Sequence, residues 1–112
     1  MLFDKSAIES ISRKLSLPFK GTEQDWDLEF ADSSRLVFFI GFYLENRKQL
    51  SRPEKKVLMS LILASYEDYF KFEYSDRDSI WKIINSIIND ENYLFEDHIL
   101  YWKKIDGFNF KL

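Results

Sequence analysis

The chain has 112 residues, enough for one domain (1–112) with one core, and 46% of them are hydrophobic, including 11 Phe, 6 Tyr and 3 Trp. Three Gly and two Pro exclude a disordered or turn-rich all-β chain, and the absence of Cys excludes disulfides, thiolate metal sites and a cysteine nucleophile. The net charge of −3 speaks against a general nucleic-acid binder, and the longest uncharged apolar run, residues 36–44, falls far short of the roughly 20 residues that cross a bilayer.

The N-terminus, MLFDKSAIES, lacks a basic segment followed by an apolar run, so no signal peptide and a cytoplasmic location are expected. A first helix is predicted over residues 4–16, capped by Asp4 or Ser6, with Ile8, Ile11 and Leu15 on one face. Leu17-Pro18 ends it, because the residue before proline avoids the helical region. Residues 26–30, WDLEF, alternate apolar and acidic, which is strand periodicity. It predicts a short extended segment near residues 25–31, with Trp26, Leu28 and Phe30 on one side, laid over the helices or paired with FNFKL at 108–112.

A second helix is expected from Asp32 or Ser33 to about residue 46, with Leu36, Phe39, Ile40 and Tyr43 as its stripe. A third opens at SRPE, where Ser51 and Glu54 have capping-box spacing and Pro53 sits in the first turn. Its residues 57–65 are apolar nearly all round, the mark of a central helix covered on several sides. A fourth starts at Ser75 or Asp78 and carries Ile80, Trp81, Ile84 and Ile88. A fifth spans roughly residues 92–106 and ends at Gly107. The fold class is therefore all-α, a compact bundle of about five helices with one short extended piece.

Charge is patterned. Residues 23–32 hold Glu23, Asp25, Asp27, Glu29 and Asp32 with no base, and residues 47–56 hold Arg47, Lys48, Arg52, Lys55 and Lys56. The acidic run lacks the central glycine and the polar intervening residues of a calcium loop. His98 is the only histidine, with no second ligand at helical spacing, and reads as structural. No nucleophile elbow, P-loop or dinucleotide fingerprint is present, so neither an enzyme nor a cofactor nor a metal is expected. The basic stretch reads as a solvated connection between helices, without the aromatic interleaving of a nucleic-acid surface.

Acids set among aromatics suit recognition of a basic protein: charge speeds encounter and aromatic anchors hold the complex. The candidate contact residues are Asp25, Asp27, Glu29, Glu67, Asp68 and Glu73 for steering and ion pairs, with Trp26 and Tyr69 as anchors.

Residues 22–70 also carry the motif W-x-x-E-x-A-D-x-x-R (Trp26, Glu29, Ala31, Asp32, Arg35), followed by E-K-x-x-L-M-x-L-I-x-A-S-x-x-D (Glu54, Lys55, Leu58, Met59, Leu61, Ile62, Ala64, Ser65, Asp68). With the late Tyr101-Trp102 pair, this order resembles the immunity partners of bacterial toxins, including those of contact-dependent growth inhibition. The resemblance implies a non-enzymatic partner of a cognate toxin domain, most simply a basic nuclease, acting as a monomer or weak homodimer without nucleic acid or membrane. The alternative is an adaptor or regulatory helical domain in a larger assembly, which requires exposed apolar area in place of focused charge.

Overall fold

The computed structural model describes residues 3–21, 23 and 25–112. The chain is all-α. Its elements are α1 (Lys5–Lys14), α2 (Trp26–Glu29), a 3-10 turn (Ser33–Arg35) leading into α3 (Leu36–Asn46), α4 (Arg52–Lys71), α5 (Arg77–Asp90) and α6 (Glu96–Trp102).

The 20-residue α4 organises the rest. At 1.5 Å per residue it is about 30 Å long, close to the longest dimension of the molecule, 33 Å. The expected capping box starts it: the Ser51 hydroxyl accepts from the Glu54 N–H at 3.2 Å, and the Glu54 carboxylate accepts from the Ser51 N–H at 2.9 Å. Residues 57–66 are buried without a gap, as an all-round apolar helix requires, and α1, α2, α3, α5 and α6 all pack on α4. Glu54 does a second job. Its carboxylate also accepts from Ser10 Oγ at 2.6 Å and from Lys14 Nζ at 2.8 Å, tying α1 to the start of α4.

Four of the five long elements begin or end near their expected positions. Asp4 caps α1, its carboxylate accepting from the N–H groups of Ser6 and Ala7. Asp32 caps the 3-10 turn through the Ser34 N–H at 2.9 Å. The last helix is shorter than expected: only Glu96–Trp102 is helical, with turns on either side. Gly107 has φ +93°, and a Cβ there would lie 2.8 Å from the Phe70 ring, so backbone conformation and space both require glycine.

The extended segment near residues 25–31 is not found. Residues 26–29 form one helical turn, closed by Glu29 N–H to the Asp25 carbonyl at 2.9 Å and Phe30 N–H to the Trp26 carbonyl at 3.1 Å. A lone strand would leave its backbone groups without a ladder, whereas one turn satisfies part of them locally. FNFKL does not supply a pairing strand, and no strand occurs among the described residues. The tail instead lies along α5, where Trp81 Nε1 donates to the Asn109 carbonyl at 3.2 Å and Asn85 exchanges two hydrogen bonds with the Lys111 backbone at 2.9 and 3.0 Å.

Candidate protein-docking surface

The change from strand to helix at residues 26–30 re-sorts the side chains. At about 100° per residue, Trp26 and Phe30 fall on the same side and Leu28 on the opposite one. Trp26 is accordingly buried at 3% exposure, and its indole N–H donates to the buried Ser12 hydroxyl at 2.8 Å. The Phe30 ring lies 6.1 Å from the indole. Leu28, expected in the core, is 46% exposed. It stands between Asp25 and Glu29, both exposed. The one-turn helix is held from below by Trp26, by its packing on α4, and by the Asp32 N–H donating to Ser65 Oγ at 3.0 Å.

The six candidate acids do not behave alike. Among the described residues, Asp25, Glu29 and Glu73 are exposed and form no ion pair. Asp27 is half-buried, and desolvation, aided by the nearby Asp25 charge, raises its carboxyl above the ordinary carboxylate range. It is therefore a poorer steering group than its neighbours. Glu67 is half-buried and pairs with Lys71 one turn on, at 3.7 Å. Asp68 is half-buried on the same helix.

Both proposed anchors lie inside. Tyr69 is 6% exposed, stacks on Tyr74 with ring centroids 4.0 Å apart, and donates its hydroxyl to Asp76 at 2.5 Å. That hydrogen bond, with burial behind it, pushes the phenol up to about 12. Tyr69 is a brace across the α4–α5 turn, and Trp26 is a brace beneath α2; both side chains are buried in the free chain. The exposed large side chains in these two places are Leu28, Tyr74 and, at 69% exposure, Phe72. Phe72 is the C-cap of α4, and the following Glu73 adopts a left-handed φ of +57° that reverses the chain there. Arg77 fixes the turn, its guanidinium lying over the Phe70 ring at 4.6 Å and donating to the Phe70 carbonyl at 3.0 Å. Helical periodicity applied to residues 25–30 would have found Leu28. For Phe72 the sequence carries no signal of exposure, because Tyr69, Phe70 and Tyr74 around it are equally aromatic.

The basic stretch from 47 to 56 is partly neutralised. Arg47 lies 3.6 Å from Asp90, and Lys55 lies 2.9 Å from Glu91. Arg52 sits over the Tyr93 ring at 5.5 Å. Together these contacts hold the α3–α4 connection against the far end of α5, as a solvated structural joint would.

His98 is buried among Phe3, Phe95, Ser60 and the Lys56 carbonyl. A carbonyl only accepts, so the 2.8 Å contact from Nε2 to the Lys56 oxygen assigns the hydrogen to Nε2. Nδ1 is buried without a hydrogen-bond partner. Burial holds the imidazole at about 4, against the upward pull of the Lys56 carbonyl. Among the described residues no three His, Cys, Asp or Glu side chains gather as a metal-binding group, and no helix is long and apolar enough to cross a membrane. Comparison of the chain with protein-family models, with curated proteins and with solved structures finds no match.

Proposed function

We propose that this protein is an immunity protein, which binds a cognate bacterial toxin domain in the cytoplasm of the producing cell and covers its active site. The observation that supports this reading best is Leu28, raised on a braced helical turn that also carries Asp25 and Glu29, two exposed carboxylates with no ion-pair partner among the described residues. A rigid apolar contact flanked by negative charge suits a basic partner such as a nuclease. Steering by the carboxylates quickens encounter, and a pre-ordered backbone limits the entropy lost on docking. Phe72 beside Glu73 repeats the pattern at the α4–α5 turn.

The test is survival of cells made to express the product of the gene adjacent to that of this chain, which the proposal expects to be toxic. The wild-type protein is expected to protect them. The double variant Asp25→Lys, Glu29→Lys, altered only at exposed sites, is expected to fold normally and to associate about tenfold more slowly or worse. Failure of the wild-type chain to protect would contradict the reading.

A second reading, an adaptor in a larger assembly, is favoured by α3. Its outer face exposes Val37 at 59%, Phe38 at 49% and Leu44 at 41%, with open space in front of Gly41. The same assay separates the two, because Val37→Asp with Leu44→Asp leaves protection intact in an immunity protein that docks through α2.

A further inference from the structure

An open cleft of about 730 Å³ lies between α5, the α6–tail turn and the C-terminal tail. That is within the size range of small-molecule sites, roughly 300–1,000 Å³. Four lysines line it, Lys82 from α5, Lys103 and Lys104 after α6, and Lys111 from the tail, against two carboxylates, Asp78 and Asp106. Among the described residues none of these six groups has an ion-pair partner, whereas Lys14, Arg47, Lys55 and Lys71 are all paired elsewhere. Cations following a helix end offset the carbonyl dipole there, which accounts for Lys103 and Lys104. It accounts for neither Lys82 nor Lys111, which approach the same space from two other elements.

The frame of the cleft is fixed. Asn85 grips the Lys111 backbone, Trp81 grips the Asn109 carbonyl, Phe110 packs edge-on against Trp81 at 5.1 Å, and Gly107 seats against Phe70. The four lysines, all exposed, therefore line walls that are already in place. All four cations are Lys, mobile point charges of the kind that also bind phosphate, and together they outnumber the two carboxylates of the cleft by two.

We propose that this cleft binds a compact polyphosphate-bearing small molecule. The glycine-rich phosphate loop that the sequence lacks is not needed, because ammonium groups take the place of backbone N–H donors. A long nucleic-acid strand is a worse match: the cleft contains Asp78 and Asp106, and the protein as a whole is acidic at −3.

This inference is independent of the toxin reading, and a chain that protects cells but binds no polyphosphate would overturn the inference alone. The test is calorimetric titration of the full chain at low salt with ATP, with inorganic tripolyphosphate and with an oligothymidylate of about ten nucleotides. ATP and tripolyphosphate are expected to bind saturably, and added salt should weaken both. Lys82→Glu and Lys111→Glu should each weaken them about tenfold or more, while Lys48→Glu, outside the cleft, should change little. Circular dichroism checks folding; if either variant loses its helical spectrum, Lys104→Glu replaces it with the same expectation. Absence of saturable binding, equal binding by the cleft variants, or tighter binding of the oligonucleotide than of ATP would overturn the proposal.

Discussion

Trp26→Ala is expected to destabilise the protein by about 3–5 kcal/mol, whereas Leu28→Ala, two residues away, is expected to cost no more than about 0.5 kcal/mol. The difference follows from the helical turn. Trp26 fills the space between α2, α1 and α4 at 3% exposure, and its removal leaves a cavity and takes the indole donor from the buried Ser12 hydroxyl. Leu28 is 46% exposed and loses little burial when truncated. Trp26→Phe separates the two parts of the loss, since it keeps most of the ring but strands Ser12, at a cost of about 1–3 kcal/mol. Urea unfolding of the three variants measures this. A strand over the same residues would place Trp26 and Leu28 on one buried side and make the two alanine variants comparably costly. Because α2 has only one turn of its own hydrogen bonds, Trp26→Ala should also loosen Asp25 and Glu29 and, under the proposed immunity role, slow partner association more than the stability loss alone explains.

Acid is expected to weaken the fold in two steps, and His98 governs the first. Its folded pKa lies at about 4 and its ordinary value is 6.5. Between these values the unfolded chain holds more protons than the folded one, so stability rises with pH across that window and is lost as pH falls from 6.5 toward 4. At 1.36 kcal/mol per unit the loss is about 3 kcal/mol. Protonation would place a second N–H, on Nδ1, where no acceptor meets it. The charged groups nearest the ring give little relief, since Lys56 opposes the cation and Asp97 favours it only weakly.

The second step belongs to Glu54. Burial raises its carboxyl, but the hydrogen bonds from Lys14, Ser10 and Ser51 outweigh this and hold it at about 2, so its contribution is lost only as pH falls from 4.5 toward 2. Asp27 works in the opposite sense, because its raised folded pKa means protonation near the carboxylate range favours the folded state. Urea unfolding across a pH series measures these effects. His98→Gln should remove the slope above about pH 4.5 and keep the one below it. An unchanged upper slope in that variant would assign it to other groups.

The helices were legible because their signals were long or chemically specific. α4 carries ten successive buried residues and a capping box that forms as its spacing requires. Asp4 and Asp32 both sit immediately before a helical start and both cap it. The short elements were not legible for a physical reason. Five alternating residues cover less than a turn and a half of helix, so WDLEF fits either period, and the choice falls to whether a pairing strand exists elsewhere. None does among the described residues.

That difference in period moves Leu28 outside and Asp27 partly inside. Asp25 and Glu29 lie outside, and Trp26 inside, under either period. Tyr69 differs from expectation in its burial. Its acidic neighbourhood suggested a surface, but a tyrosine beside a free carboxylate is as readily a brace, and Asp76 takes its hydroxyl. The lysine cleft was invisible in the sequence because Lys82, Lys103, Lys104 and Lys111 meet only through tertiary packing of α5 with the tail.

Amide hydrogen exchange of this chain, free and in the presence of the product of the gene adjacent to its own, tests most directly whether a partner docks on the α2 turn as proposed. Slowed exchange on binding is expected across residues 25–30 and at the α4–α5 turn around residues 72–76, with α3 and the lysine cleft unchanged. Protection confined to the outer face of α3, with residues 25–30 exchanging as in the free protein, would contradict it.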